Sequence, residues 1–258
     1  MKKEVKNTLK RLSWLAIILL VGVVLINMVE KKQTTKTVEV LIDVAHLPDG
    51  NDLITRGDIF EILDRSFGYS IEGIPLNEVD VARIEKVLKE SPFVLDAEVY
   101  LGANNAVQIE VEQRIPVIRI IDKMGVSYYL DKDGNKLPPS KHFTVRVLTA
   151  TGNIPPHTPE FMEKASHPLN QLFDVGKRIL ADDLFHPMME QIYVNNKREY
   201  TLIPKLGNQK ILFGKYENVD IKLENLKVFY QKAIANEGWR KYKTFDLRYA
   251  GQVVAVKR

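Results

Sequence analysis

One stretch constrains this chain before any other: residues 12–29 carry no charged side chain and are apolar almost throughout. At about 1.5 Å rise per residue, a helix over them spans roughly 27 Å, close to the hydrocarbon thickness of a bilayer. The sequence therefore predicts one transmembrane helix over 12–29. Lys2, Lys3, Lys6, Lys10 and Arg11 precede it against a single acid, Glu4, which by the positive-inside rule places the tail, 1–11, in the cytoplasm. Lys31, Lys32 and Lys36 follow the run and soften that asymmetry. A cleaved signal peptide is the alternative, but Asn27, Met28, Val29 and Glu30 offer no small-x-small cleavage site. No second apolar run of this length follows. The expectation is a single-pass, type II protein of the inner (cytoplasmic) membrane, with its bulk extracytoplasmic or periplasmic.

The remainder of the 258 residues suffices for two modest domains of about 100 residues each. Across the whole chain the net charge is +4, and Lys and Arg are spread along it, which gives no support to a nucleic-acid partner. With no cysteine, neither a disulfide framework nor a thiolate metal site is available.

After a polar tether over 30–37, Val38, Val40 and Ile42 alternate with Glu39, Leu41 and Asp43 as a strand. Thr55 with Asp58 reads as a capping box, opening a helix with Ile59, Ile62, Leu63 and Phe67 at helical spacing, stopped by Gly68. A second helix, capped by Asn77, carries Val81, Ile84 and Leu88 on one stripe and pairs Glu85 with Lys89 on another. Ser91 and Pro92 end it. Ala97, Val99 and Leu101, then Val107, Ile109 and Val111, form a hairpin around the turn 102–105. Strand, helix, helix, strand, strand is an α+β arrangement with two helices on one face of a small sheet.

That order resembles the POTRA domain. The segment SPFVLDAEVYLGANNAVQIEVEQRIPVIRI resembles a signature stretch of the FtsQ/DivIB family of bacterial cell division proteins, through Pro92, Val94, Glu112, Arg114 and Pro116. YYLDKDGNKLP is similar to that family's aromatic-x-Val-Asp-x-x-Gly hairpin, with Leu130 in place of valine. The resemblance implies a POTRA domain over 38–117 and a mostly antiparallel β domain with flanking helices over 118–258.

Within the second region, strands broken at 122–125 and 131–134 give two hairpins. Asp131, Asp133 and Asn135 do not make a calcium loop, because Lys136 and His142 stand where glycine and glutamate are required. A helix is expected around Leu169, Leu172, Phe173 and Ile179. Strands are expected over 191–194, 199–203 and 210–213, and another helix through Leu223, Leu226, Phe229, Tyr230, Ala233 and Ile234. KTFDLRYAGQVVAVKR then reads as one strand, with Phe245, Leu247 and Tyr249 on one face and Asp246 and Arg248 on the other.

No Ser-x-x-Lys, Gly-x-Ser-x-Gly, His-Glu-x-x-His or phosphate-loop pattern is present. His46, His142, His157, His167 and His186 lack the spacing that sets two ligands on one helix face, and the adjacent Asp182 and Asp183 diverge. Catalytic, metal and cofactor sites are therefore assigned to none, and no small-molecule substrate is expected. The resemblance implies a non-catalytic, membrane-anchored scaffold at the division septum. It would recruit FtsB/FtsL-like bitopic proteins and other divisome components, probing them with a C-terminal strand edge that accepts a partner strand. The contact residues it implies are Arg248 and Tyr249, Lys197 and Arg198, with Phe245 and Leu247 on the same strand; the β edge over 38–42 is a second docking candidate. A POTRA-containing secretion or envelope-assembly factor and a tethered cell-wall enzyme are the alternatives.

Overall fold

The computed structural model describes residues 14–24, 39–102, 105–234 and 238–258. Residues 14–24 form a helix, α1, whose apolar side chains are exposed. Among the described residues no helix is long and apolar enough to cross a membrane. The tail, the tether and both ends of the expected span lie outside the described residues. The rest divides into two compact units between Gln113 and Arg114, slightly before the boundary expected at 117.

The first unit runs β1 (Glu39–Ala45), α2 (Arg56–Phe67), a single 3-10 turn (Leu76–Glu78), α3 (Val81–Lys89), β2 (Val94–Leu101) and β3 (Ala106–Gln113). Its sheet has the order β1-β3-β2, with β1 parallel and β2 antiparallel to β3. Strict alternation along β1 sends Val40, Ile42 and Val44 inward, to a core with Ile59 and Leu63 of α2 and Ile84 and Leu88 of α3. The Thr55 capping box forms: the Asp58 N–H donates to Thr55 Oγ1 and the Thr55 N–H to Asp58 Oδ2 at 2.8 Å. The expected cap of α3 is corrected, because Asn77 falls inside the 3-10 turn and Asp80 accepts from the Arg83 N–H instead, at 2.9 Å. The direct contacts of Glu85 and Lys89 are with β2 and not with each other: Glu85 accepts from the Val99 N–H and Lys89 meets Asp96.

Gln113, 3% exposed, closes this unit. Its Oε1 accepts from the Leu53 and Ile54 N–H groups at 2.7 and 3.2 Å, while Nε2 donates to the Ala45 carbonyl and to Asp52 Oδ1, both at 2.9 Å. One buried amide thus satisfies the backbone of the β1–α2 connection, which has no ladder to satisfy it.

The second unit contains β4 (Pro116–Ile121), β5 (Ser127–Asp131), β6 (Lys136–Leu137), β7 (Leu148–Gly152), α4 (Pro168–Leu180), α5 (Phe185–Met188), β8 (Met189–Val194), β9 (Tyr200–Pro204), β10 (Lys210–Gly214), α6 (Val219–Phe229), β11 (Tyr242–Asp246) and β12 (Val254–Lys257). They make one nine-stranded sheet in the order β12-β11-β10-β9-β8-β7-β4-β5-β6. It is more mixed than expected: β4, β7 and β8 run parallel in sequence, as do β10 and β11, and the other neighbours are antiparallel. Helix α4 supplies Leu169, Leu172, Phe173 and Ile179 to the core beside Ile118 and Ile120. Gly176 permits that approach, because a Cβ there would stand 2.9 Å from Ile118 Cδ1. Asp122 and Asp131 build the two hairpin turns. Asp131 Oδ1 accepts from the Asp133 and Asn135 N–H groups, and its Oδ2 receives Arg114 at 3.0 Å, so its oxygens serve the turn.

Candidate partner-binding edge

The C-terminal segment departs from the single strand read from its alternation. β11 stops at Asp246, the chain turns over 247–251, and β12 returns antiparallel to β11, pairing Asp246 with Val254 and Tyr242 with Lys257. Phe245, Asp246 and Leu247 are buried in succession, at 0%, 6% and 2% exposure. Phe245 is covered by Phe229 at the end of α6 and by Tyr230 just after it, both edge-on, while Asp246 between the two apolar residues is bound by the Arg248 side chain. Phe245 and Leu247 are therefore core residues. The sheet ends at β12, where Val254 and Val256 are exposed and Val253 and Ala255 pack inward. A two-valine exposed stripe on a terminal strand leaves one row of backbone groups and an apolar surface open together. The turn residues Ala250 and Gly251 before the run VVAV are the signal that could have shown this hairpin.

Arg248 and Tyr249 lie in the β11–β12 turn. The Arg248 guanidinium forks onto Asp246, Nε to Oδ1 at 2.9 Å and Nη2 to Oδ2 at 2.6 Å, and its own N–H reaches Oδ1 at 3.0 Å. Those hydrogen bonds hold the Asp246 carboxyl below the usual carboxylate range against the opposing effect of burial. The Arg248 chain crosses the end of β10 at Gly214, whose φ is 79° and where a Cβ would stand 2.8 Å from Arg248 Cγ. Tyr249 is exposed.

Lys197 and Arg198 occupy the β8–β9 turn, held by Asn195 Oδ1, which accepts from the Lys197 N–H at 2.8 Å and the Glu199 N–H at 3.0 Å. Because Tyr200 pairs with Gly214 and Leu212 with Asp246, this turn and the β11–β12 turn sit at the same end of the sheet. Lys197, Arg198, Arg248 and Tyr249 thus share one corner, adjoining the start of β12. They do not line the edge itself.

Asp182 takes a structural place: its Oδ1 accepts from the Leu184 and Phe185 N–H groups and its Oδ2 receives Lys227 at 2.8 Å. Among the described residues no group of three His, Cys, Asp or Glu side chains is placed to hold a metal ion.

Residues 115–256 match the family model described as FtsQ/DivIB, C-terminal related, and residues 34–112 match a POTRA-like domain. The chain is also 26% identical over 193 residues to a protein of Rhodothermus marinus named "Cell division protein FtsQ", covering 70% of this chain and 67% of the relative.

Proposed function

Because the chain belongs to the FtsQ/DivIB family, which matches more than half of its length, we infer that it is a bacterial cell division protein acting as a non-catalytic, membrane-anchored scaffold. Residues 12–29 anchor it by a single pass, with the N-terminus in the cytoplasm and both domains on the far side. There it gathers bitopic division proteins of the FtsB/FtsL kind at the septum. The observation that supports this reading best is the open edge of β12 with its exposed Val254 and Val256. A partner segment adding beside β12 would gain main-chain hydrogen bonds and cover both valines, while Tyr249, Arg248, Lys197 and Arg198 border its entry end.

Two measurements test the reading. A fluorescent protein fused before Met1 should form a mid-cell band in dividing cells; an even envelope distribution through the cell cycle would overturn the division role. Val256→Asp sets a charge on the outer stripe at a partly exposed position, where the expected loss of stability is within about 0.5 kcal/mol. It should abolish co-purification of the bitopic partner while leaving the folded chain intact. Retained co-purification would remove the β12 edge from the function.

A further inference from the structure

The chain-wide charge of +4 conceals two opposite halves. Residues 39–113 carry 16 acidic and 5 basic side chains, whereas residues 114–258 carry 15 acidic and 24 basic. The sheet of the acidic unit has two edges, and only one is closed. Along β2, the Val99 N–H donates to Glu85 Oε1 of α3 at 3.0 Å, and the Ala97 N–H donates to Asp96 Oδ1 at 2.9 Å. Lys89 then clamps Asp96 at 2.6 Å. These carboxylates occupy the donors a partner strand would need.

Along β1, among the described residues, no side chain accepts from a backbone N–H. A groove of about 430 Å³ is lined by β1 from Glu39 to Asp43, by Arg56 and Phe60 of α2, and by Tyr100 and Glu110 of the neighbouring strands.

Register decides what this edge would take. On the solvent face, Asp43, Glu110 and Glu98 stand abreast on β1, β3 and β2, and the next row places Glu112 beside Asp96. Like charges directly opposite one another destabilise a sheet. The Tyr100 hydroxyl donates to Glu110 at 2.5 Å, and that hydrogen bond, burial and the nearby carboxylates raise the phenol above its ordinary range. Arg56 reaches Asp43 only at 4.0 Å, with both side chains largely exposed, so a competing cation displaces it cheaply.

We propose that β1 accepts an extended, cationic segment of a partner protein. Its Lys or Arg residues would meet Glu39 and extend the carboxylate row that begins at Asp43, and its alternate apolar residues would enter the groove beside Phe60. The complementarity lies in both charge and period: a strand presents every second side chain to one face, the solvent face of β1 carries Glu39 and Asp43 on either side of the exposed Leu41, and the partly buried Phe60 of α2 lines the groove.

The test uses the full chain in zwitterionic micelles and fluorescence anisotropy with labelled seven-residue peptides. One alternates lysine with valine, one alternates glutamate with valine, and two lysine–valine versions are N-methylated on alternate residues in the two possible phases. The lysine peptide should bind, and the glutamate peptide should not. Asp43→Lys with Glu110→Lys should weaken binding by at least about tenfold, a loss that shrinks at high salt. One phase of N-methylation should abolish binding and the other leave it. Equal binding by the glutamate peptide, indifference to the charge reversal, or insensitivity to both N-methylated phases would each overturn the proposal. Val256→Asp should leave this binding unchanged, so its outcome is separable from that of the β12 edge; a loss there would locate the peptide elsewhere and also overturn it.

Discussion

The two sheets meet the same hazard, unpaired edges, and each closes one while leaving the other open. In the three-stranded sheet β2 is closed chemically, by Glu85 and Asp96 on its outward N–H groups. In the nine-stranded sheet β6 is closed by brevity: it is two residues long, with Lys136 lying over the Tyr128 ring. The open edges differ in what they present. β1 borders rows of carboxylates, and β12 carries valines next to a corner with three cations. If both edges accept a strand as proposed, the difference in what they present would sort their partners, the first favouring a cationic segment and the second an apolar one.

The largest expected effect breaks the frame of the acidic edge. Gln113→Ala leaves the Leu53 and Ile54 N–H groups buried without an acceptor and releases the Ala45 carbonyl at the end of β1, a loss of about 2–5 kcal/mol. Hydrogen exchange should accelerate across β1 and α2 and stay unchanged across β8 and β9. Acceleration of both would mean that the two units unfold together.

Next in size is Asp246→Asn, which weakens the corner beside the apolar edge by about 1–2 kcal/mol at neutral pH, discounted because Arg248 is half exposed. The folded value of the Asp246 carboxyl is depressed. Its contribution is therefore complete above the ordinary carboxylate range, near pH 4, and is lost as pH falls through the depressed folded value. Thermal unfolding curves of the two proteins should separate at pH 7 and converge in acid. A gap that persists in acid would show that shape, and not charge, holds Arg248.

The sequence made the first unit easy to read because each of its elements buries one face: alternation or a helical stripe then states directly which side is inside, as in Val40, Ile42 and Val44 or Ile84 and Leu88. What it hid there was non-local. Gln113 looks like any polar residue at a strand end, and its partners lie 60 residues away at Leu53 and 61 at Asp52. Asn77 and Asp80 are equally good caps on paper, and only the 3-10 turn chooses between them. In the second unit the reading failed where a strand is buried on both sides. Phe245, Asp246 and Leu247 obey no period of two, and a charged residue amid a core looked like a solvent face. Arg248 and Tyr249 are named only by the resemblance, and the edge they adjoin, β12, carries none of their chemistry. The opposed charges of the two units were legible throughout, but only when counted by domain.

The smallest effect bears most directly on why the two open edges differ. Glu98 faces Glu110 across β2 and β3, with Asp43 beyond. If that row is held only at the expense of the domain's own stability, Glu98→Gln should raise the urea midpoint by about 0.1–0.3 M at low ionic strength. The gain should disappear in high salt, where exposed charges no longer sense one another. Val256→Thr, a change of similar shape on the other open edge, should move the midpoint at neither salt concentration. A midpoint that falls on Glu98→Gln would make the row a stabilising network of the isolated domain. One that rises would mean the carboxylates are unfavourable at home, so that the cation that balances them has to come from outside the sheet.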